Sequence, residues 1–483
     1  MTKSENMADW VLNLKYKDIP DRIIKIAKQQ VLGMLGAAFA GSTTIGGKNL
    51  IKTIESYGSK EEASIIPSGI KTDVVNAFYV NAGLAMTLDY DDYLGTIHAG
   101  TITYSVPLAY GEKYDISGKE YLTGVIIGNE IEGRVGMAIY PPGEGQQQTF
   151  IHAVGSACMA GRILGLTKEQ LANAIGISLF QIPTTIPRGF FGPQSKLLSS
   201  SIPAQIGAQA AYLAKNGFTG ALNIFEDPQG FLNFFGDDPI LTVLDSDLGT
   251  AWLTETMTFK IYPGCAYVDS SADVTLKILQ KYREKTDSEL DYRDIDKIIV
   301  NASILSTMMD DMSRPFVDIS ELKKTQSAVA LNFYLPYNIA VILMDKKLTA
   351  AQLTMDRIVE PEVHKLIKKI DVKPDLGYSM KSAQTIDWKL MREGIGKLDL
   401  ANWKMFCGCK IKIKMKDGTS YSAKQDIPIG AAGGEKYDLN KKMAQEAKYI
   451  GMSDDQIKNI SNVVRSLENL KVRDFIQHLI LKK

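Results

Sequence analysis

The chain has 483 residues, 45% of them hydrophobic and 23% charged, enough to bury a large core and to form two domains or one domain with an insertion. Lys plus Arg and Asp plus Glu both number 55, so the formal net charge is zero, and with no long basic block nothing draws the chain to nucleic acid or to an anionic membrane. The opening MTKSENMADWVLNLKY lacks the apolar centre of a signal peptide and no window reads as an uninterrupted membrane span, so a cytoplasmic protein without nucleic-acid or membrane partners is expected. Cys158, Cys265, Cys407 and Cys409 form no pair of CxxC motifs and read as free thiols.

From Pro20 the run DRIIKIAKQQVLGMLGAAFAG sets Ile23, Ile24, Ala27, Val31, Leu32 and Leu35 at helical spacing up to Gly41, which predicts a buried amphipathic helix. Further helices are expected over 51–57, 73–87, 101–114 and 118–139, the last opening on Ser117 with Glu120 three residues on, a capping-box pattern. Small residues then line one face of two segments, Ala153, Gly155, Ala157, Ala160 and Gly161 in the first and Ala204, Gly207, Ala208, Ala211 and Ala214 in the second. Such stripes let helices approach closely, so these two are expected to be the central pair of a helical core. Between them Thr167-Lys168-Glu169-Gln170 is a second capping box, and residues 183–201, rich in Pro, Gly, Ser and Thr, read as a long functional loop.

The texture changes after Phe259. Residues 294–300 read as a strand, and 410–416 alternate strictly before Asp417-Gly418, a two-residue hairpin signal that places Tyr421 and Ala423 on the return strand. Helices are expected over 271–282, 332–343 and 361–369, and again over 441–449, 454–467 and 472–481. The fold class is therefore mainly α: a large all-helical domain made of 1–258 and 430–483, with an α+β domain at 259–429 inserted in it.

One stretch stands out chemically: Asp89-Tyr90-Asp91-Asp92-Tyr93-Leu94-Gly95-Thr96-Ile97-His98-Ala99-Gly100. Three carboxylates and a histidine in so short a run are costly unless exposed or used, and the run reads as an active-site loop. Metal ligation is the other chemical reading, weakened by the lack of any H-x-x-x-H, D-x-D-x-D-G or CxxC spacing. The aspartates are also expected to cap the helix that follows from Thr101.

Blocks along nearly the whole chain, in order, resemble the MmgE/PrpD family, which includes 2-methylcitrate dehydratase, cis-aconitate decarboxylase and iminodisuccinate epimerase. They are VLGMLGAAFAGS, LDYDD with His98-Ala99-Gly100 and VPLAYGE, SGKEYLTGVIIGNEIEGRVG, GSACMAGRILGLTKEQLANAIGISL, Lys196 through GAQAAYLAKNGFTG, KIYPGCAYVDSSAD, LNFYLPYNIAVIL and VEPEVHKLIKKIDV. The resemblance implies an α+β lid inserted into a helical domain, an active site in the cleft between them, a homodimer, and no organic cofactor. It implies proton transfer beside a carboxylate, which needs a group titrating near neutrality and donors where enolate charge develops. His98 falls on the family's loop histidine and is the expected general acid/base, the carboxylates beside it tuning it; as a residue alone it could be an ordinary surface histidine. Lys196 falls on the family's substrate-binding lysine, where the hydroxyls of Ser199, Ser200 and Ser201 could add donors, and Tyr337 on its lid tyrosine, although a tyrosine on an apolar helix is more often core. Asp91 and Asp92 are expected to orient His98, and Tyr93 to line the entrance.

The departures shape the expected substrate. Where the family has histidine in G-x-H-x-T, this chain has Gly145-Gln146-Gln147-Gln148-Thr149; aligning Thr149 puts Gln147 at that position, the shorter spacing to Gly155 leaves Gln146 as the alternative, and His152 could substitute in space or be packed in the core. Asp269 stands where the family has histidine four residues after Cys265, and Met86 where it often has another. Fewer cations and one more carboxylate suit a tricarboxylate poorly, so a substrate with fewer carboxylates, or with a neutral or amine-bearing end, is expected. Asp269 could be a second acid/base across from His98, as an isomerase or epimerase needs, and tyrosines 90, 93, 104 and 267 could form an aromatic wall. The expected function is a cofactor-independent lyase or isomerase of a small organic acid or carbonyl compound, with His98, Asp269, Tyr337 and Lys196 catalytic, Asp91, Asp92, Tyr93, Gln147, Thr149, Lys196 and Tyr267 binding substrate, and no metal. The alternatives are a metabolite-binding homologue without catalysis and a metal-dependent hydrolase using the aspartates.

Overall fold

A computed structural model describes residues 1–95, 97–139 and 148–482, with Gln148 and Thr149 as backbone only; Gln147 and the side chain of Thr149 therefore lie outside the described structure. The fold is mainly α. The helices that position the site are α1 Asp21–Ser42, α2 Val74–Met86, α3 Gly100–Tyr114, α4 Gly118–Ala138, α5 Gln148–Ile163, α6 Lys168–Phe180, α7 Leu198–Lys215, α8 Ala266–Thr286, α9 Leu335–Asp345 and α10 Leu439–Tyr449. Their starts follow local chemistry: Asp73 Oδ1 accepts from the amides of Val75 and Asn76 at 3.0 Å each to cap α2, and Thr167 and Gln170 close a full capping box on α6. Ser117 caps α4 with its side chain alone, because Glu120 turns outward to Arg162.

The two small-residue segments are neighbours, α5 against α7. A Cβ built on Gly207 would stand 1.9 Å from the Ala153 carbonyl oxygen, so only glycine permits that spacing. Helix α1 lies beside α10, so the end of the chain completes the core begun near its start. Contrary to the sequence reading, α1 is long and apolar enough to cross a membrane by length and composition; most of it is buried inside the helical core, where an apolar surface of this kind is equally stable.

The sheet has the order β4-β3-β5-β6, with β3 Ile295–Ala302, β4 Ile370–Pro374, β5 Cys409–Met415 and β6 Ser420–Gln425. Strand β3 runs parallel to β4, with Ile298 opposite Ile370, and antiparallel to β5, with Ile298 opposite Ile413. The predicted hairpin is present: Ile411 and Ile413 face Ala423 and Tyr421 on the buried side, where α8 packs, while Lys410, Lys412 and Lys414 face solvent. A separate two-residue ladder, β1 Tyr93–Leu94 with β2 Met257–Thr258, ties the acidic loop to the segment that enters Lys260.

Several expectations shift. The helix expected at 51–57 is Ile45–Glu55, capped by Thr44; Gly46 and Gly47 hid its first turn. The helix expected from 332 starts at Leu335 after a 3₁₀ turn, Val329–Asn332. The expected loop at 183–201 contains a helical turn, Pro187–Phe190, a 3₁₀ turn, Gln194–Leu197, and the start of α7, with Pro187 at the first helical position where its missing N–H is harmless. No aspartate side chain caps α3, whose N-cap is Ala99 without a side-chain bond: Asp89 and Asp91 are held by lysines and Asp92 packs on α1.

Candidate active site

The acidic loop leaves α2 through Asp89, a non-glycine residue at φ 51°, a conformation that persists only where surroundings hold it. Two buried lysines do so. Lys196, in the turn before α7, donates to Asp89 Oδ1 at 2.5 Å, and Lys260 donates to Asp89 Oδ2 at 2.9 Å and to its carbonyl oxygen at 2.7 Å. Burial alone would raise the Asp89 carboxyl, but Lys196 and Lys260 outweigh it and hold the pKa at about 2. The Lys196 ammonium also lies 5.3 and 5.4 Å from the rings of Phe190 and Phe333.

Asp91 is equally buried. Its Oδ1 lies 3.5 Å from Lys260 Nζ and its Oδ2 3.0 Å from His98 Nδ1; against the upward push of burial, Lys260 and His98 hold its carboxyl well below the usual range. His98 stacks on Tyr93, with centroids 5.5 Å apart, and its side chain keeps 23% exposure while that of Asp91 has none. An ionised carboxylate on Nδ1–H leaves Nε2 as the basic nitrogen on the solvent-reaching ring, the arrangement of a general base oriented by a carboxylate.

Asp92 points elsewhere. Among the described residues neither of its buried oxygens has a hydrogen-bond partner, and a Cβ on Gly33 of α1 would meet Oδ2 at 2.8 Å; it therefore packs on α1 and does not orient His98. Burial raises its carboxyl to about 7. The nearest cation is Lys442 of α10, 3.9 Å away, whose ammonium donates to the carbonyl oxygens of Tyr90 and Lys260 at 2.8 and 2.9 Å and sits 3.8 Å over the Tyr90 ring. Burial lowers the Lys442 pKa.

Asp269, in the first turn of α8, accepts from the Tyr262 amide at 3.1 Å. Burial, then Asp273, push its carboxyl well up despite Lys260 and Lys442, and it lies within electrostatic reach of Tyr93. Tyr337 does not join this cluster: fully buried, its hydroxyl donates to the Gln352 carbonyl and the charges acting on it are Arg357, Asp345 and Glu360. A tyrosine on a helix buried nearly all round finds a backbone acceptor rather than a cleft. Nor is there an aromatic wall of free hydroxyls, since Tyr90, Tyr104 and Tyr267 donate to the carbonyls of Ile261, Asn81 and Phe333 at 3.0, 2.7 and 3.0 Å. Only Tyr93 of the four borders His98. Of the three serines, Ser201 donates to the Tyr79 carbonyl, whereas the buried hydroxyls of Ser199 and Ser200 are without partners.

Cys265 caps no bond with its thiol, which burial pushes up to about 12, too high for a thiolate at neutral pH. Among the described residues no three His, Cys, Asp or Glu side chains converge as a metal site would require. A cavity of about 190 Å³ bordered by Thr87, Leu88, Leu197 and Val329 is lined by no ionisable side chain. Sequence reasoning missed Lys260 and Lys442, which approach from 171 and 352 residues away. The available signal was the loop itself, since three carboxylates that are to be buried require cations.

A helical scaffold holding a carboxylate-oriented histidine among buried Asp–Lys pairs is built for acid/base chemistry. The chain matches the MmgE/PrpD N-terminal domain over residues 5–243 and the MmgE/PrpD C-terminal domain over 262–466; it belongs to the MmgE/PrpD family and is an enzyme of lyase type. It is 23% identical to a cis-aconitate decarboxylase of Aspergillus terreus (strain NIH 2624 / FGSC A1156), over 95% of this chain and 92% of that one. With the cis-aconitate decarboxylase of Homo sapiens the identity is 24%, over 97% and 92%, and with that of Mus musculus 23%, over 97% and 91%.

Proposed function

We propose that the protein is a proton-transfer lyase for a small organic acid with fewer carboxylates than cis-aconitate, the tricarboxylate in its relatives' names. The observation that carries this reading is the Asp91–His98 pair, a base fixed through Nδ1 on a side chain that keeps 23% exposure. In a dehydration His98 Nε2 takes the proton at the carbon beside the substrate carboxylate, and the electron pair left there expels hydroxide, which the imidazolium protonates to water. In a decarboxylation carbon dioxide departs, its bonding pair stays on the carbon, and protonated His98 delivers a proton there. Lys196 and Lys260, dry and held in place, supply positive potential while enolate charge develops.

The substrate class follows from the cations. Lys196, Lys260 and Lys442 each already face an aspartate, which leaves little positive charge for three carboxylates. Repulsion from Asp269, the reason drawn from sequence, carries less weight because burial disfavours its charged form. Isomerisation is the second reading, with Asp269 delivering a proton where His98 removes one. The enzyme is further taken as cofactor-independent and homodimeric, as the family resemblance implies.

The test is solvent deuterium incorporation, by mass spectrometry, into a panel of mono-, di- and tricarboxylic acids with wild type and His98→Ala. Exchange into a mono- or dicarboxylate that disappears in the variant, with loss of carbon dioxide or water, is the expected result; exchange without loss identifies an isomerase. Exchange surviving His98→Ala overturns the catalytic assignment, cis-aconitate turned over faster than all others overturns the substrate class, and no exchange with folded protein favours the metabolite-binding alternative.

A further inference from the structure

The Asp91 carboxylate that fixes His98 makes only a long contact with its own cation, since Lys260 Nζ stands 3.5 Å from Asp91 Oδ1. The ion pair alone does not fix where Asp91 points. The backbones that carry its two partners, however, meet on one ammonium: Lys442 Nζ, on α10, donates to the carbonyl oxygen of Tyr90 at 2.8 Å and to that of Lys260 at 2.9 Å. The Tyr90 carbonyl lies in the rigid peptide plane that leads into Asp91, and the Lys260 carbonyl is bonded to that lysine's own Cα. A single cation therefore ties Asp91 to Lys260 at the main chain. Tyr90 adds a second tie between the same segments, because its ring lies 3.8 Å from the Lys442 ammonium and its hydroxyl donates to the Ile261 carbonyl at 3.0 Å.

Stability alone does not account for this lysine. Its side chain is fully buried with the Asp92 carboxyl 3.9 Å away, and replacing so loosely paired a buried charge by a packed apolar side chain is often neutral or stabilising. The fold nonetheless makes room for it: a Cβ on Gly36 of α1 would stand 3.2 Å from Lys442 Cγ and from the Met443 Cα, so the glycine lets α10 approach until the lysine stem reaches the loop. We propose that Lys442 is a positioning residue for the proton-transfer base, holding the backbones of Asp91 and Lys260 together so that Asp91 Oδ2 stays 3.0 Å from His98 Nδ1. It acts through Asp91 and not on the substrate. The proposal rests on the proton-transfer reading above, but the geometry it requires is measurable without a substrate.

Two variants separate the donor from the bulk: Lys442→Met removes every N–H, and Lys442→Gln keeps two. Nitrogen-15 histidine labelling reads the His98 Nδ1–H proton, because the chain has four histidines and His98→Ala assigns one set of signals by deletion. In the wild type the charge-assisted bond to Asp91 is expected to hold that proton at low field and slow its exchange with water. Lys442→Met is expected to move it upfield and speed its exchange, and Lys442→Gln to leave it near its wild-type position. A Lys442→Met protein that is folded by circular dichroism and keeps the wild-type Nδ1–H signal overturns the proposal whatever the substrate. Should that variant not fold, Lys442→Met/Asp92→Asn, which leaves no buried carboxyl opposite the lost cation, carries the same expectation and the same refutation. In the exchange assay Lys442→Met is expected to lower kcat about 10–10²-fold with KM within about threefold, and Lys442→Gln to keep kcat within about threefold of wild type. Equal losses in the two variants, or a change in KM alone, overturn the positioning role. Wild type inactive on every acid, with an Nδ1–H signal that still responds to Lys442→Met, supports the positioning and faults the proposed function instead.

Discussion

Replacing Asp92 with asparagine is expected to make the protein more stable at pH 8. The wild-type carboxyl is fully buried, neither oxygen accepts a hydrogen bond, and Lys442 at 3.9 Å compensates only in part, so burial raises the pKa from 3.8 to about 7. A folded-state pKa above the unfolded one means that folding favours the protonated form: stability is greatest below the unfolded pKa, falls as pH rises through the interval to the folded pKa, and is level above it. About three pKa units at 1.36 kcal/mol each amount to about 4 kcal/mol. Asparagine keeps the shape of the protonated side chain and does not titrate. Urea unfolding followed by the fluorescence of the four tryptophans, run on both proteins at pH 4.5, 6 and 8, is expected to show a gap of about 1 kcal/mol at the lowest pH that widens to about 4 in favour of Asp92→Asn. A gap independent of pH, or a variant less stable than wild type at pH 8, would refute the assignment of Asp92 as a carboxyl held against its charge.

The neighbouring pairs behave oppositely. Lys260→Met strands Asp89 and Asp91 in a dry interior and is expected to cost about 3–5 kcal/mol at pH 7; because the folded pKa of Asp89 is depressed to about 2, this contribution is present above pH 3.8 and lost as pH falls toward 2, so the gap to wild type in urea unfolding should narrow in acid. Asp91→Asn is expected to reduce His98-dependent deuterium exchange about 10²–10⁴-fold with unchanged circular dichroism, and full activity would show that something else orients the ring. Gly207→Ala drives a methyl group against the Ala153 carbonyl and should lower stability by about 1–3 kcal/mol or more, measurable as a drop in Tm; an unchanged Tm would contradict the α5–α7 contact.

What could be read from sequence was carried by near neighbours. The Asp73, Thr167 and small-residue signals are satisfied within a turn or along one helix face, the alternation of 410–416 is the pleat of β5 itself, and Asp91 meets His98 across seven residues of one loop. Each rests on periodicity or on hydrogen bonds between residues close in the chain, which exist before the core closes. Positions such as Lys196 were visible as chemistry but not as partners: read as a clamp for substrate, it is bound to Asp89. Tyr337 looked catalytic by its place in a motif, and the helix around it buried its hydroxyl against Gln352. Composition and spacing determined a mainly helical protein with three carboxylates and a histidine gathered in one loop, and the family resemblance added the expectation of an enzyme. Tertiary structure alone decided which charges are favoured there, because desolvation acts only once the interior is dry, and the lysines that hold the carboxyls of Asp89 and Asp91 down, while burial raises those of Asp92 and Asp269, arrive from distant parts of the chain.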